Sequence, residues 1–172
     1  MHRLAWLILF LACPLQAGHY GLGSSPDAAL LHAWDIDISP DGAGLPPGSG
    51  SAIDGRRIYA ERCSACHGSD GQGGPMDRLV GGEGTLASTK PVKTVGSFWP
   101  YATTLFDYVR RAMPFDAPQS LTPDEVYSVS AFILYLNGIV AEDAVLDAKT
   151  LALVRMPNRD GFVPDPRPDT GR

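Results

Sequence analysis

Two cysteines and a histidine stand together in the segment Cys63-Ser64-Ala65-Cys66-His67, and this pentapeptide constrains the 172-residue chain more than any other feature. The third cysteine of the chain, Cys13, lies at the end of an apolar N-terminal run. With 19 glycines and 15 prolines, much of the backbone is expected to form turns and loops. Such a chain can build one core of a few short helices, provided that something else helps to hold it together.

The C-x-x-C-H spacing is the signature of covalent haem attachment. Cysteines three residues apart on a helical turn can reach the two vinyl groups of one haem, and the next histidine then faces the iron. We therefore predict one covalent haem c, anchored by Cys63 and Cys66, with His67 as an iron ligand. A thioredoxin-like dithiol needs strand–helix–strand surroundings that this sequence lacks. A structural zinc site needs four ligands, and neither His19 nor His32 belongs to a matching pair.

The N-terminus has the pattern of a secretory signal. His2 and Arg3 precede the nine-residue apolar run 4–12, which is too short to span a bilayer. Ala17 offers a cleavage site, so we predict a signal peptide at 1–17 and no membrane span in the mature form. An uncleaved anchor and a lipidated Cys13 are the alternatives. Cleavage would leave only the cysteines of the pentapeptide, and so no disulfide framework for an exported protein.

Composition and pattern divide the rest of the chain into three parts. Residues 18–52 are rich in Gly, Pro, Ser and Asp and are assigned to an N-terminal arm and linker. Residues 53–138 contain the pentapeptide and the clearest helical patterns, and they form the predicted haem domain. Residues 139–172 are a C-terminal extension that ends in a proline-rich tail.

Three helices are predicted within the haem domain. The first covers 53–65 and carries the first cysteine, and the second covers 103–112 and stops before Met113-Pro114. The third begins with Thr, Pro and Glu in the positions of a capping box and runs over 122–137 to an Asn-Gly stop. The glycine-rich segment 68–100 is expected to be mostly loop, and one more short helix is expected within 139–156.

The charge of the chain limits the kinds of partner. The formal net charge is −5, and no cluster of five Lys or Arg residues occurs. Phosphate binding requires a basic patch, so we predict no nucleic-acid partner. An acidic balance suits solubility, or docking onto the basic face of another protein.

The sequence around the pentapeptide resembles the opening of class I cytochromes c, with the pattern G-x-x-x-Y-x-x-x-C-x-x-C-H at residues 55–67. The resemblance implies an all-α class I cytochrome c fold, flanked here by an irregular N-terminal arm and the proline-rich tail. It also implies that Gly55 and Tyr59 pack against the C-terminal helix. Phe132 and Tyr135 are the aromatic residues available on that helix.

A second axial ligand is expected, because a thioether in this position raises the reduction potential of a haem. After residue 17 the chain offers Met76, Met113 and Met156. Met113 resembles the class I arrangement, in which a Met-Pro loop brings sulfur to the distal face, and we predict that it is the ligand. Met156 also precedes a proline and is its rival. The resemblance further implies that the Pro75 carbonyl accepts the N–H of the ligating histidine.

A longer resemblance covers most of the chain after residue 17. It is to SoxD, the family of cytochrome subunits of sulfane dehydrogenase, and its matching segments are 93–115, 118–121, 136–140 and 156–162. The resemblance implies a periplasmic location and a molybdenum-cofactor partner subunit of the sulfite-oxidase type. Electrons would leave through the haem to a downstream cytochrome or oxidase. SoxD proteins carry two haem domains, whereas this chain has one C-x-x-C-H.

These features together predict an electron-transfer protein rather than an enzyme. The expected function is electron transfer by a single haem, as a subunit of a sulfur-compound dehydrogenase. A free-standing carrier is the first alternative. A haem enzyme or gas sensor with an open sixth site, and a haem-free secreted module, are the others.

Overall fold

A computed structural model describes residues 20–164, so the predicted signal peptide at 1–17 lies outside the described residues. The described residues divide into two compact units, with the boundary between Asp35 and Ile36. Within the described part, no helix is both long enough and apolar enough to cross a membrane.

In its described part, the first unit contains one short helix, α1, over Ala28–Trp34. Asp27 caps it, and its carboxylate accepts a hydrogen bond from the backbone N–H of Leu30 at 2.7 Å. The sequence had predicted an irregular arm here. The helix has only two turns, which is too short for a clear hydrophobic period.

Four helices dominate the second unit, and they confirm the predicted all-α class. They are α2 at Ala52–Arg62, α3 at Ser64–His67, α4 at Ala102–Ala112 and α5 at Pro123–Leu136. The single helix predicted at 53–65 is wrong in one respect, because the chain breaks at Cys63. That residue has φ −126° and ψ −36°, which ends α2 and turns the chain into α3.

The second unit also contains two short strands, and the sequence predicted neither. β1 at Ser49–Ser51 pairs antiparallel with β2 at Val145–Asp147, and Gly50 lies opposite Leu146. Three residues are too few to show an alternating pattern. The short helix predicted within 139–156 is replaced by β2 and a 3₁₀ turn at Leu151–Leu153.

The crossing of α2 and α5 sets the geometry of the core. At Gly55 the helices approach so closely that a Cβ atom would lie 1.9 Å from the Ser128 carbonyl oxygen. One turn later the Tyr59 and Phe132 rings pack with their centroids 5.3 Å apart. The packing implied by the resemblance is therefore present, and Phe132 is the aromatic partner of Tyr59.

Residues from the segment assigned to the linker also join this unit. Ile38 and Leu45 pack against the core. The Tyr127 hydroxyl donates to the Pro46 carbonyl at 2.9 Å, and the Arg111 guanidinium pairs with Asp37 at 2.6 Å. The segment that precedes β1 is thus fixed to α4 and α5 by both apolar and polar contacts.

Candidate haem site

Cys63 lies at the junction between α2 and α3 and starts the turn that carries the pentapeptide. Its N–H donates to the Tyr59 carbonyl at 2.9 Å, which closes α2. Its own carbonyl accepts from the N–H groups of Cys66 and His67, at 3.1 and 3.0 Å. Cys63 is partly buried, Cys66 is exposed, and neither forms a disulfide. One tight turn therefore presents both thiols and the imidazole.

The Cys63 thiol is not a reactive thiolate in this setting. Burial raises its pKa to about 11, the nearby Cys66 adds to the rise, and the positive charge of Arg62 opposes it. A redox-active C-x-x-C pair needs a lowered thiol pKa, since the thiolate is the nucleophile. The raised pKa of Cys63 therefore disfavours thioredoxin-like exchange, and the position of the two thiols on one turn suits covalent attachment.

The His67 ring is oriented by a backbone carbonyl, which leaves one ring nitrogen free. Its Nδ1 lies 2.7 Å from the Asp77 carbonyl oxygen. Because a carbonyl only accepts, Nδ1 carries the proton, and Nε2 is the nitrogen available to a metal. This second partner of the ligand is the kind that fixes ring orientation in metal sites.

The expectation that the Pro75 carbonyl would accept this proton is wrong. The next residue, Met76, donates its N–H to the Cys66 carbonyl at 3.0 Å, and its own carbonyl accepts from Gly74 at 3.1 Å. These bonds tie the Pro75–Met76 turn to α3 and bring Asp77 to the ring. Asp77 contributes only its backbone, so its side-chain type could not signal this role.

Tyr59 and two glycines hold the chain around the pentapeptide. The Tyr59 hydroxyl donates to the Gly68 carbonyl at 3.0 Å, and burial raises its pKa to about 12, so it remains a donor. Gly68 has φ +82°, a conformation that side chains disfavour. At Gly74 a Cβ would lie 2.8 Å from the Cys66 carbonyl oxygen. The loop can thus follow α3 closely only with glycine at these positions.

The three methionines have different environments. Met113 caps α4 through its N–H to the Val109 carbonyl at 3.1 Å, and its partly buried side chain packs against the core. Met156 is only 1% exposed and is enclosed by core side chains. Met76 is 49% exposed. Full enclosure by core side chains disfavours Met156 as an axial ligand, whereas Met113 is partly buried and Met76 is exposed.

The donor set suits haem c and does not suit a structural zinc ion. Among residues 20–164, no group of three or more His, Cys, Asp or Glu side chains is arranged to hold a metal ion. A zinc site of the structural kind takes four such ligands. What the chain offers is two thiols on one turn, an oriented imidazole and a half-buried thioether, which are the attachment and axial groups of a haem c.

Comparison with known proteins gives three matches. The model of the family described as "Cytochrome C oxidase, cbb3-type, subunit III" matches residues 50–133. The thiosulfate dehydrogenase of Psychrobacter arcticus is 26% identical over 114 residues, which cover 62% of this chain and 34% of that protein. The chain therefore spans about a third of the length of this curated relative.

The third match is to a solved structure, that of the sulfane dehydrogenase SoxCD from Paracoccus pantotrophus. The TM-score is 0.80 and the sequences are 44% identical, and the match covers 86% of this chain and 73% of the solved chain. Similarity of this extent, together with the all-α fold and the C-x-x-C-H turn, shows that the chain belongs to the c-type cytochromes related to the SoxD subunit of SoxCD, which are electron-transfer proteins rather than catalytic subunits.

Proposed function

We propose that this protein is a periplasmic cytochrome with one covalent haem, which accepts electrons from a molybdenum subunit of the sulfite-oxidase type. It would deliver them to a downstream cytochrome or oxidase. The observation that carries the proposal is the geometry of the α3 turn. This turn holds two thiols beside an imidazole whose Nδ1 is already bound to the Asp77 carbonyl.

Each residue of the site has a distinct role in this proposal. Cys63 and Cys66 anchor the haem through thioethers, and His67 binds the iron through Nε2. Met113 would supply a thioether to the iron, which favours the reduced form and raises the potential. The bound haem supplies an iron that gains and loses one electron. The protein itself fixes the ligands and orients the His67 ring.

Among residues 20–164, the site offers no group that is free for bond-making chemistry. His67 has one nitrogen bound to Asp77 and the other assigned to iron. Cys63 and Cys66 are both used as thioethers in this proposal, so neither is a free nucleophile. A one-electron carrier of this kind depends on a second protein that oxidises the substrate.

The partner is proposed from the relatives and from the surface of the C-terminal extension. The two named relatives are a sulfane dehydrogenase and a thiosulfate dehydrogenase, so both act on sulfur compounds. In the extension, Leu153 is 80% exposed, and Phe162 and Val163 are also exposed. Exposed apolar side chains close together in sequence suit a lasting interface better than the small polar contact of a diffusing carrier.

The test is co-expression with a molybdenum subunit encoded beside this protein. Size-exclusion chromatography should show the haem eluting with that subunit, and stopped-flow mixing with sulfite should reduce it. Leu153→Glu with Phe162→Glu should weaken co-elution while the haem spectrum and its reduction by dithionite persist. Ile53→Glu, at an exposed apolar position of α2, is the matched control and should keep the complex.

Two outcomes separate the parts of the proposal. If the haem neither elutes with the molybdenum subunit nor is reduced through it, the partner is wrong and a free-standing carrier remains. N-terminal sequencing of protein from a periplasmic extract should begin near Gly18. A protein found only in the cytoplasm would contradict the location.

A further inference from the structure

Asn137 joins the end of α5 to the loop that follows the pentapeptide. It caps α5, and its Nδ2 donates to the Ile133 carbonyl at 2.9 Å and to the Leu79 carbonyl at 3.2 Å. Both partners are carbonyls, so the carboxamide has one possible orientation, with nitrogen toward them. The second of these bonds reaches across 58 residues of sequence.

The oxygen of the same carboxamide is buried and has no hydrogen-bond partner among the described residues. It faces Gly96, where a Cβ would lie only 2.2 Å from Oδ1. A buried acceptor without a donor costs about 1–3 kcal/mol. An apolar residue would avoid that cost. The asparagine is therefore explained by the two hydrogen bonds that its Nδ2 donates.

The carbonyl that Nδ2 holds belongs to the segment that orients His67. Leu79 is two residues after Asp77, whose carbonyl accepts from His67 Nδ1 at 2.7 Å. The N–H groups of Leu79 and the next residue both donate to the Gly71 carbonyl, at 2.8 and 3.2 Å. The segment 77–79 is therefore bound to the imidazole at one end and to α5 at the other.

We propose that Asn137 is a positioning residue for the haem ligand. It fixes segment 77–79 and thereby keeps the Asp77 carbonyl on the His67 ring. A hydrogen bond from Nδ1 to a carbonyl raises the basicity of the ligating nitrogen, and a more basic ligand favours the oxidised iron. Loss of Asn137 should therefore weaken that bond and raise the reduction potential. The proposal rests on His67 being an iron ligand, as proposed above.

The test uses three variants of the holoprotein. In Asn137→Ala, exchange of the His67 Nδ1 proton with D₂O, followed by NMR, should become faster than in the original protein, because the Asp77 carbonyl holds that proton less firmly. A tenfold shift of the redox equilibrium toward the reduced form would raise the potential by about 59 mV. Gly96→Ala keeps the asparagine but displaces its carboxamide, so it should act in the same direction. The double variant should show less than the sum of the two effects, because both act through one contact.

Ser130→Ala is the matched control. Ser130 also lies on α5 and also has a buried oxygen without a partner, but it holds nothing near His67. This variant should leave the Nδ1 exchange rate and the potential unchanged. Equal effects in Ser130→Ala and Asn137→Ala would point to general loosening of α5 and would overturn the proposal.

Asn137→Leu is a further variant that keeps the proposal testable if Asn137→Ala does not fold. Leucine has a similar size and removes the unpaired Oδ1, so this variant should fold even if Asn137→Ala does not. Unchanged exchange and potential in Asn137→Leu or in Gly96→Ala would overturn the positioning role. Haem staining and co-elution with the molybdenum subunit should be normal in all variants. Their loss would therefore count against the proposed function and not against this role.

Discussion

The helices of this protein and its long loop are held together by different forces. α2, α4 and α5 pack through apolar side chains, such as Phe106 and Tyr127, whose ring centroids are 4.4 Å apart. The loop 68–100 is held mainly by hydrogen bonds between short polar side chains and backbone. Thr94 Oγ1, for example, donates to the Gly81 carbonyl at 2.6 Å.

The helices and the loop therefore contribute to different properties of the protein. The helices provide most of the buried apolar surface, and hence most of the stability. The loop provides the carbonyl that orients His67, and Asn137 at the end of α5 is one of the residues that attach it to the helices. Changes in the helical core should therefore act mainly on the free energy of unfolding. Changes in the loop should act mainly on the haem.

The largest expected effect comes from removing the two cysteines of the pentapeptide, which lies between α2 and the loop 68–100. Replacing both Cys63 and Cys66 by alanine should abolish covalent haem and leave little folded protein, because a glycine-rich chain of this size needs the haem in its core. Haem staining after denaturing electrophoresis and a thermal unfolding scan measure the two effects. A double variant that unfolds cooperatively without haem would contradict the haem as part of the core.

The next effect should be confined to the helical core. Phe132 is 3% exposed and packs on Tyr59, so Phe132→Ala should cost about 3–5 kcal/mol of unfolding free energy. Phe115 is the matched control, because it is 77% exposed and its loss should cost less than about 0.5 kcal/mol. Denaturant titration of both holoproteins measures the difference. Similar costs in the two variants would mean that the α2–α5 contact contributes little to the free energy of unfolding.

The sequence predicted the helical region far better than the loop. The capping signals of α5 and the spacing of Gly55, Tyr59 and Cys63 depend on neighbours a few residues away, so they can be read locally. The start of α5 is the clearest case, since its capping box is present as predicted. The axial role of Met113 remains a prediction, although its position at the end of α4 suits it.

The parts that the sequence did not predict depend on backbone atoms or on long-range contacts. The Asp77 carbonyl orients His67 without using the Asp77 side chain. Asn137 had been read as a helix stop, and its contact with Leu79 is visible only in three dimensions. β1 and β2 have three residues each, too few for any period. Tertiary context decided each of these cases.

The methionines offer a way to separate effects on stability from effects on the haem. Met113→Ala should lower the reduction potential and remove the weak charge-transfer absorption of a thioether-bound ferric haem. Met156→Ala should leave both intact and should instead cost about 2–5 kcal/mol of stability, because it leaves a cavity in the core. Redox titration and denaturant titration on each holoprotein measure the two effects. If the two variants behave the other way round, Met156 is the axial ligand.

The smallest effect lies at the start of α5, where the helix end is stabilised by polar contacts instead of packing. The Glu125 carboxylate accepts from the Thr122 N–H at 2.8 Å and from its hydroxyl at 2.9 Å, and Thr122→Ala should cost about 1 kcal/mol. The backbone hydrogen bond from Thr122, followed by the side-chain bond, lowers the pKa of Glu125. Because its pKa is lower in the folded state, the carboxylate stabilises the protein above the unfolded pKa of about 4.3. That contribution is lost as the pH falls through the folded value.

The variant that tests this pH dependence is Glu125→Gln, which keeps a capping box without a titrating group. The difference in unfolding free energy between the original protein and this variant should shrink as the pH falls below about 4.3. The pKa of Asp147 is also lowered, chiefly by the backbone N–H of Thr150, but it is the same in both proteins and cancels from the difference. A difference that stays constant between about pH 5 and pH 3 would show that the Glu125 carboxylate does not support the helix end.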